Sequence, residues 1–166
     1  MIILGLDPGI GRTGWGIIKK KGNSHKAIDF GCIETTPNSP INQRLHILFQ
    51  DVQKIINKYS PDLVVVEELF FNTNAKTALI VGQARGVTLL ACEISGCTTV
   101  SYTPLQIKMS LAGYGRADKS QVGQMVKSLL NLKKIPKPDD TSDALAAALT
   151  GAFSHKMEII KKNDSI

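Results

Sequence analysis

Five acidic residues of this 166-residue chain stand beside apolar segments, at three separate places. Asp7 ends the apolar segment IILGLD, and Glu67 and Glu68 end the apolar segment DLVVVEE. Asp140 and Asp143 lie in the segment DDTSDAL near the start of an alanine-rich stretch. A carboxylate buried without a partner costs several kcal/mol, so a folded protein keeps one only where something compensates its charge. The sequence therefore raises the question of what compensates Asp7.

Each acid also has a purely structural interpretation. Asp7 precedes a Pro-Gly pair and could begin a turn. Asp139 or Asp140 could cap a helix, and the Glu67–Glu68 pair could end a strand in solvent. Together, however, four clustered carboxylates repel strongly, by about 4 kcal/mol for two charges ~4 Å apart at an effective dielectric of 20. Such a cluster needs bound cations or raised pKa values.

The elements that would position these acids follow from hydrophobic periodicity and capping signals. Ser39 and Pro40 are typical of a helix N-cap and first helical residue. The predicted strands cover residues 2–7, 13–19, 26–35, 62–67 and 97–101, and the predicted helices cover 41–59, 74–94, 104 onward, 118–130 and 139–153. This order predicts an α/β fold with a mixed five-stranded sheet, its first three strands antiparallel, flanked by helices on both faces.

Such a sheet would bring the acids together. If the first and fourth strands are parallel neighbours, their carboxyl ends coincide, where α/β sheets usually place ligands. Asp140 and Asp143 are three residues apart and share a helix face, followed by Ala144 and Ala147, which are small enough for close approach. Oxygen ligands favour Mg²⁺ or Mn²⁺ over zinc, and two such ions would suit displacement at a phosphodiester.

Composition limits the functions that remain. The net charge of +6 favours an anionic partner. The three cysteines form no CxxC pair, which argues against a zinc site and favours a reducing compartment. No signal peptide and no transmembrane segment are expected, so we predict a cytoplasmic protein with no membrane partner. Residues 1–155 are predicted to form one domain, and residues 156–166 a basic, frayed tail.

Four segments resemble one known family. DPGxxxTGWG, VVEELFFNTNAKTALIVGQARG, GYGRADKSQVGQMV and DDTSDALAAAL are together similar to the bacterial RuvC family, endonucleases that resolve four-way (Holliday) DNA junctions. The resemblance covers nearly the whole chain. It implies an RNase H-like fold, a homodimer, Mg²⁺-dependent symmetrical nicking of two strands and cooperation with the RuvA–RuvB branch-migration complex.

The resemblance also assigns roles to residues. It implies four catalytic, metal-binding acids, Asp7, Glu67, Asp140 and Asp143; the acid three residues before Phe70 is Glu67 rather than Glu68, and the family register favours Asp140 over Asp139. Two Mg²⁺ ions per site are implied, with Mn²⁺ as a substitute. The matching DNA-binding positions are Phe70, which could stack on opened bases, and the basic residues Lys108 and Lys119. Arg116, in a Gly-rich loop, is a further candidate phosphate contact.

Some residues of the long second helix are compatible with more than one role. Arg85 could form a buried ion pair, a dimer contact or a DNA contact. The small residues Ala78, Gly82 and Gly86 fit either a dimer contact or close packing within the chain.

Two alternative functions also fit parts of the sequence. A catalytically idle junction-binding module is the first, and the presence of all four acids argues against it. An actin-like ATPase is a weaker alternative, because such enzymes need two related subdomains around the nucleotide, and 166 residues supply only one.

Overall fold

The computed structural model describes residues 1–68 and 75–163, with side chains described for 1–68 and 78–154. Five strands and five helices occur in these residues: β1 (Ile2–Asp7), β2 (Arg12–Lys21), β3 (Ser24–Glu34), α1 (Ile41–Tyr59), β4 (Leu63–Glu67), α2 (Ala75–Ile94), β5 (Thr99–Tyr102), α3 (Pro104–Ala112), α4 (Lys119–Leu129) and α5 (Asp139–Asn163).

The five strands form one sheet in the order β3-β2-β1-β4-β5. β2 pairs antiparallel with both β1 and β3, whereas β4 pairs parallel with β1 and with β5. The predicted mixed sheet with three antiparallel strands is confirmed. The parallel pairing of β1 with β4 brings the carboxyl ends of these two strands to the same edge.

The two faces of the sheet carry separate hydrophobic cores. Strand side chains alternate between faces, so Ile3 and Val65 contact the helices on one side and Leu4 and Val66 those on the other. Helices α3, α4 and α5 cover the first face, and α1 and α2 cover the second. Asp7 and Glu67 have the same parity as Ile3 and Val65, so both acids belong to the face that α5 covers.

Helix α5 lies unusually close to the sheet because small residues meet at the contact. A Cβ atom built at Gly5 would lie 1.9 Å from the carbonyl oxygen of Ala144, and one built at Gly14 would lie 1.9 Å from that of Asp140. The Thr141 hydroxyl also donates a hydrogen bond of 3.1 Å to the Gly31 carbonyl of β3. The first turn of α5 is therefore held directly against the β-hairpin.

Two helix ends differ from the sequence prediction. The predicted N-cap at Ser39 is wrong: α1 begins at Ile41 after Pro40, and no side chain caps it. The Ser39 amide donates to the Thr36 carbonyl in a preceding turn, and the Pro40 carbonyl accepts the first helical bond from Arg44. Helix α5 runs to Asn163 rather than ending at 153, because no proline or glycine interrupts the sequence after Gly151.

Two further observations concern composition. Cys32, Cys92 and Cys97 are all free thiols. Within residues 1–68 and 75–163, no helix is both long and apolar enough to cross a bilayer. Residues 164–166, the end of the predicted tail, lie outside the described part of the chain.

Candidate active site

The two strand-end acids lie side by side. Leu6 of β1 pairs with Val66 of β4, so the next residues, Asp7 and Glu67, leave the sheet as neighbours. The turn after Asp7 is closed by Thr13, whose buried hydroxyl donates to the Gly9 carbonyl at 2.7 Å. The Asp7 carboxylate is therefore not needed to build this turn, which was the structural alternative for its presence.

Helices α3, α4 and α5 complete a cavity over these acids. The cavity has a volume of about 290 Å³. Its lining combines three acids, two lysines and three apolar side chains: Asp7, Glu67, Asp143, Lys108, Lys119, Pro104, Ile107 and Val122. Three of the four predicted acids thus face one space, at the edge where β1 and β4 end.

The pKa values of the strand-end acids are strongly raised. Burial is the largest cause for Asp7, and the charges of Asp143 and Asp140 add to it, so that its pKa rises from 3.8 to about 7. Burial again comes first for Glu67, followed by the charge of Asp7, and its pKa rises from 4.5 to about 8. Without added cations, this site holds protons on one or both of these acids near neutral pH.

Lys119 is a cation inside this cluster. Its Nζ atom lies 3.0 Å from Oδ2 of Asp143. The lysine charge opposes the rise in the pKa values of both Asp7 and Glu67. Helix α4 positions Lys119 at its first residue through a capping box, in which Asp118 accepts from the Gln121 amide while the Gln121 side chain accepts from the Asp118 amide.

The two remaining acids of α5 have different neighbours. Asp140 is partly exposed, and its Oδ2 atom lies 3.6 Å from Nε of Arg12. Asp139 is paired with Lys137 at 2.5 Å on the outer side of the helix. The charge of Asp140, unlike that of Asp139, contributes to the raised pKa of Asp7. Asp140, rather than Asp139, is therefore the residue whose charge acts on Asp7.

The donor set suits a hard divalent cation. The acids supply only carboxylate oxygens, which Mg²⁺ and Mn²⁺ prefer. Burial and the charges of neighbouring acids raise the pKa values of Asp7 and Glu67, and bound metal ions would oppose this rise. Within the described residues, no three Asp, Glu, His or Cys side chains surround a single point in the metal-free chain. Asp143 and Asp140 of α5 are instead paired with Lys119 and Arg12. Metal ions at this site would compete with Arg12 and Lys119 for Asp140 and Asp143.

The predicted DNA-binding residues lie in different places. Lys108 and Lys119 line the cavity, whereas the exposed Arg116 lies on the loop between α3 and α4 and does not line it. Phe70 lies outside the described residues. Arg85 donates a hydrogen bond of 3.0 Å from Nη2 to the Ser101 hydroxyl of β5, while its buried Nε has no partner among the described residues.

Two features of the site were not predicted from the sequence. Arg12, which contacts Asp140, belongs to the DPGxxxTGWG segment, but no spacing rule links it to an acid of α5. The glycines of β1 and β2 that admit α5 were also missed, although Gly14 and Gly16 at a spacing of two indicate one strand face without side chains. That spacing was the available signal for a close helix contact.

Comparison with known proteins places the chain beside one family. The family model described as crossover junction endodeoxyribonuclease RuvC matches residues 3–151. A protein of that name from Ruminiclostridium cellulolyticum is 51% identical over 164 residues, covering 99% of this chain and 99% of the relative.

Solved structures agree with the sequence comparison. The RuvC structure from Thermus thermophilus has a TM-score of 0.87 and 36% identity, and the match covers 95% of this chain and 97% of that one. The T. thermophilus RuvC in complex with a Holliday junction substrate also has a TM-score of 0.87, with 34% identity and coverage of 95% and 96%. The predicted RNase H-like fold of this family is thereby confirmed.

Proposed function

The chain belongs to the RuvC family of crossover junction endodeoxyribonucleases, and from this premise we propose that it resolves four-way DNA junctions by nicking two strands symmetrically. The products would carry 5′-phosphate and 3′-hydroxyl ends, as recombination and repair require. The observation that supports this most directly is the cavity where β1, β4 and α5 meet. Three carboxylates and two lysines face one space there, which suits cleavage of a phosphodiester held by cations.

The four acids come from two parts of the fold, the strand ends and helix α5. Asp7 and Glu67 end two buried parallel strands and form the rigid side of the site. Asp143 faces the same cavity from α5, and Asp140 lies in the first turn of that helix, which the glycines of the sheet hold in place. We assign all four as catalytic, metal-binding residues, because rigid placement is what an in-line displacement needs.

RuvC nucleases depend on divalent metal ions. We propose Mg²⁺, two ions per site, with Mn²⁺ as a substitute. When bound, these ions would lower the pKa of the attacking water and stabilise the leaving 3′ oxygen. The basic residues act on the DNA: Lys108 and Lys119 lie close enough to the acids to hold the scissile phosphate, and Arg116 would bind a phosphate further along the strand. We also assign Phe70 a stacking role on opened bases.

Cleavage and binding of a synthetic four-way junction test this proposal together. The wild type should nick two opposed strands in Mg²⁺, whereas Asp7→Asn should bind the junction and leave it intact. Glu68→Gln is the matched control, because Glu68 does not line the cavity, and it should cleave. Shape-selective binding without cleavage by the wild type, in Mg²⁺ or Mn²⁺, would overturn the nuclease assignment and favour a binding module.

We propose that the enzyme is a homodimer formed through α2. Leu79, Leu90 and Ile94 are more than half exposed on this helix. Apart from the neighbouring backbone of α2 itself, no described atom lies within 4 Å of where a Cβ would be at Gly82 or Gly86, so no other described element covers the small-residue stripe. A dimer places two sites on one junction, which paired nicking requires. Sedimentation should show a dimer for the wild type and a monomer for Leu90→Glu.

Two further assignments follow from family membership. We place the protein in the bacterial cytoplasm, where chromosomal junctions form. We also propose that it acts with the RuvA–RuvB branch-migration complex, which would supply a mobile crossover. Co-migration of this protein with a RuvA–RuvB–junction complex tests that partnership, and no change in migration on adding the protein would contradict it.

A further inference from the structure

Two acids of α5 are each paired with an exposed basic side chain. Oδ2 of Asp140 lies 3.6 Å from Nε of Arg12, and Oδ2 of Asp143 lies 3.0 Å from Nζ of Lys119. The Arg12 and Lys119 side chains are 56% and 73% exposed, whereas those of Asp140 and Asp143 are 31% and 21% exposed. The acids are thus the fixed partners, and the basic groups are the ones free to move into solvent.

These pairs compete directly with metal ions. A carboxylate that ligates a divalent cation has its negative charge neutralised, which weakens its attraction for a guanidinium or an ammonium group. Exposed ion pairs of this kind contribute only about 0.2–1 kcal/mol, so a bound ion displaces them readily. Lys119 lines the cavity and Arg12 contacts Asp140, so the released side chains would stay within reach of a phosphate bound at the acids.

We propose that Arg12 is a further DNA-binding residue, held by Asp140 in the metal-free chain and released to a backbone phosphate when Asp140 binds metal. This inference rests on the proposed function, because it assumes junction DNA at this site. Arg12 begins β2, directly after the turn that follows Asp7, and its guanidinium lies 3.6 Å from Asp140 in the first turn of α5. A guanidinium can bind a phosphate in a bidentate manner, whereas Arg12 meets Asp140 only through a single approach of 3.6 Å, so a phosphate would be the stronger partner.

The exchange couples metal binding to DNA binding. Metal ions should strengthen junction binding beyond simple charge neutralisation, and DNA should strengthen metal binding by the same factor. A merely nearby positive charge would act differently, because it would favour DNA equally with and without metal. The ratio of the junction dissociation constant without metal to that with metal therefore distinguishes the two cases.

Fluorescence anisotropy with a labelled four-way junction measures that ratio. Dissociation constants are compared in chelator and in saturating Ca²⁺, a hard cation that binds oxygen ligands, with intact DNA verified on a gel. Arg12→Gln should reduce the Ca²⁺-induced gain in junction affinity by about threefold or more, and Arg12→Lys should restore much of it. Lys54→Gln is the matched control, since Lys54 forms an equivalent exposed pair with Asp51 on α1, and its gain should equal the wild-type value.

Metal binding without DNA provides a second readout. By calorimetric titration, Arg12→Gln should bind Ca²⁺ at least about twofold more tightly than the wild type, because a competing cation has been removed. Equal weakening of DNA binding in chelator and in Ca²⁺, or unchanged Ca²⁺ affinity, would overturn the exchange. Failure of the wild type to bind the junction under either condition would instead overturn the proposed function itself.

Discussion

A side-chain carbon at Gly14 would lie only 1.9 Å from the carbonyl oxygen of Asp140. The strand next to β1 therefore touches the main chain of the helix that carries two of the four acids. Gly5 meets the carbonyl of Ala144 in the same way. The position of Asp140 and Asp143 above Asp7 thus depends on the absence of side chains from the sheet beneath them.

Gly14→Ala should damage both folding and the site. The added methyl group cannot fit against the backbone of Asp140, so α5 must shift outward and take its acids with it. We expect the free energy of unfolding to fall by roughly 2–4 kcal/mol and junction cleavage to be nearly lost. Denaturant unfolding and single-turnover cleavage check these two effects.

Gly11→Ala is the matched control for this substitution. Gly11 lies three residues earlier, and a Cβ there would meet only the flexible end of Arg44 at 3.7 Å, an ordinary contact. This variant should be close to the wild type in stability and cleavage. Equal loss in both variants would mean that the turn, rather than the contact with α5, is the sensitive feature.

The metal-free enzyme should become less stable as the pH rises. The pKa values of Asp7 and Glu67 are raised by folding to about 7 and about 8, so the protonated forms favour the folded state. The stability they contribute is fully present below their unfolded values near pH 4 and is lost as the pH rises through 7 and 8. Unfolding in chelator at pH 5 and pH 8.5 measures this loss.

The Asp7→Asn variant tests whether ionisation of the acid cluster, rather than of other groups, causes this loss of stability. At pH 8.5 in chelator the variant should be more stable than the wild type by roughly 2–4 kcal/mol, whereas at pH 5, closer to the unfolded pKa of Asp7, the difference should be clearly smaller. Saturating Mg²⁺ should stabilise the wild type and close the gap. A difference in unfolding free energy that did not change with pH would show that ionisation of the acid cluster does not destabilise the wild type.

The general architecture could be predicted because its signals are local. The apolar segments ending at Asp7 and Glu67 fix elements whose order permits few topologies. The structure shows the expected five-stranded sheet, and capping boxes at Thr103 and Asp118 begin α3 and α4. Alternation along β4 likewise gives Glu67 the same face as Asp7.

Contacts between distant segments could not be predicted in the same way. Whether Asp140 or Asp139 faces the strand-end acids depends on the rotation of α5, which Gly14 and the bond from Thr141 to Gly31 determine. The pair between Arg12 and Asp140 joins residues from opposite ends of the chain. Such contacts follow from packing in three dimensions and leave no periodic signal in the sequence.

Removing the lysine from the cluster should raise the pKa values of the strand-end acids further. Lys119 lowers the pKa values of both Asp7 and Glu67, so Lys119→Gln should shift both upward. Titration of the carboxyl carbons by NMR in the absence of metal measures the shift directly. Lys137→Gln removes the same charge from the outer pair with Asp139 and should leave both values unchanged; equal shifts would show that only net charge matters.

The capping box of α4 should support activity as well as stability. Asp118 accepts a hydrogen bond of 2.8 Å from the Gln121 amide and so holds the turn that presents Lys119. Asp118→Ala should cost about 1 kcal/mol of unfolding free energy and, by loosening that turn, slow cleavage a few-fold. Ser128→Ala, at an exposed position in the last turn of the same helix, should change neither quantity. If Asp118→Ala lost stability but cleaved at the full rate, Lys119 would not need a fixed helix start. Its contribution to cleavage would then come from its charge alone.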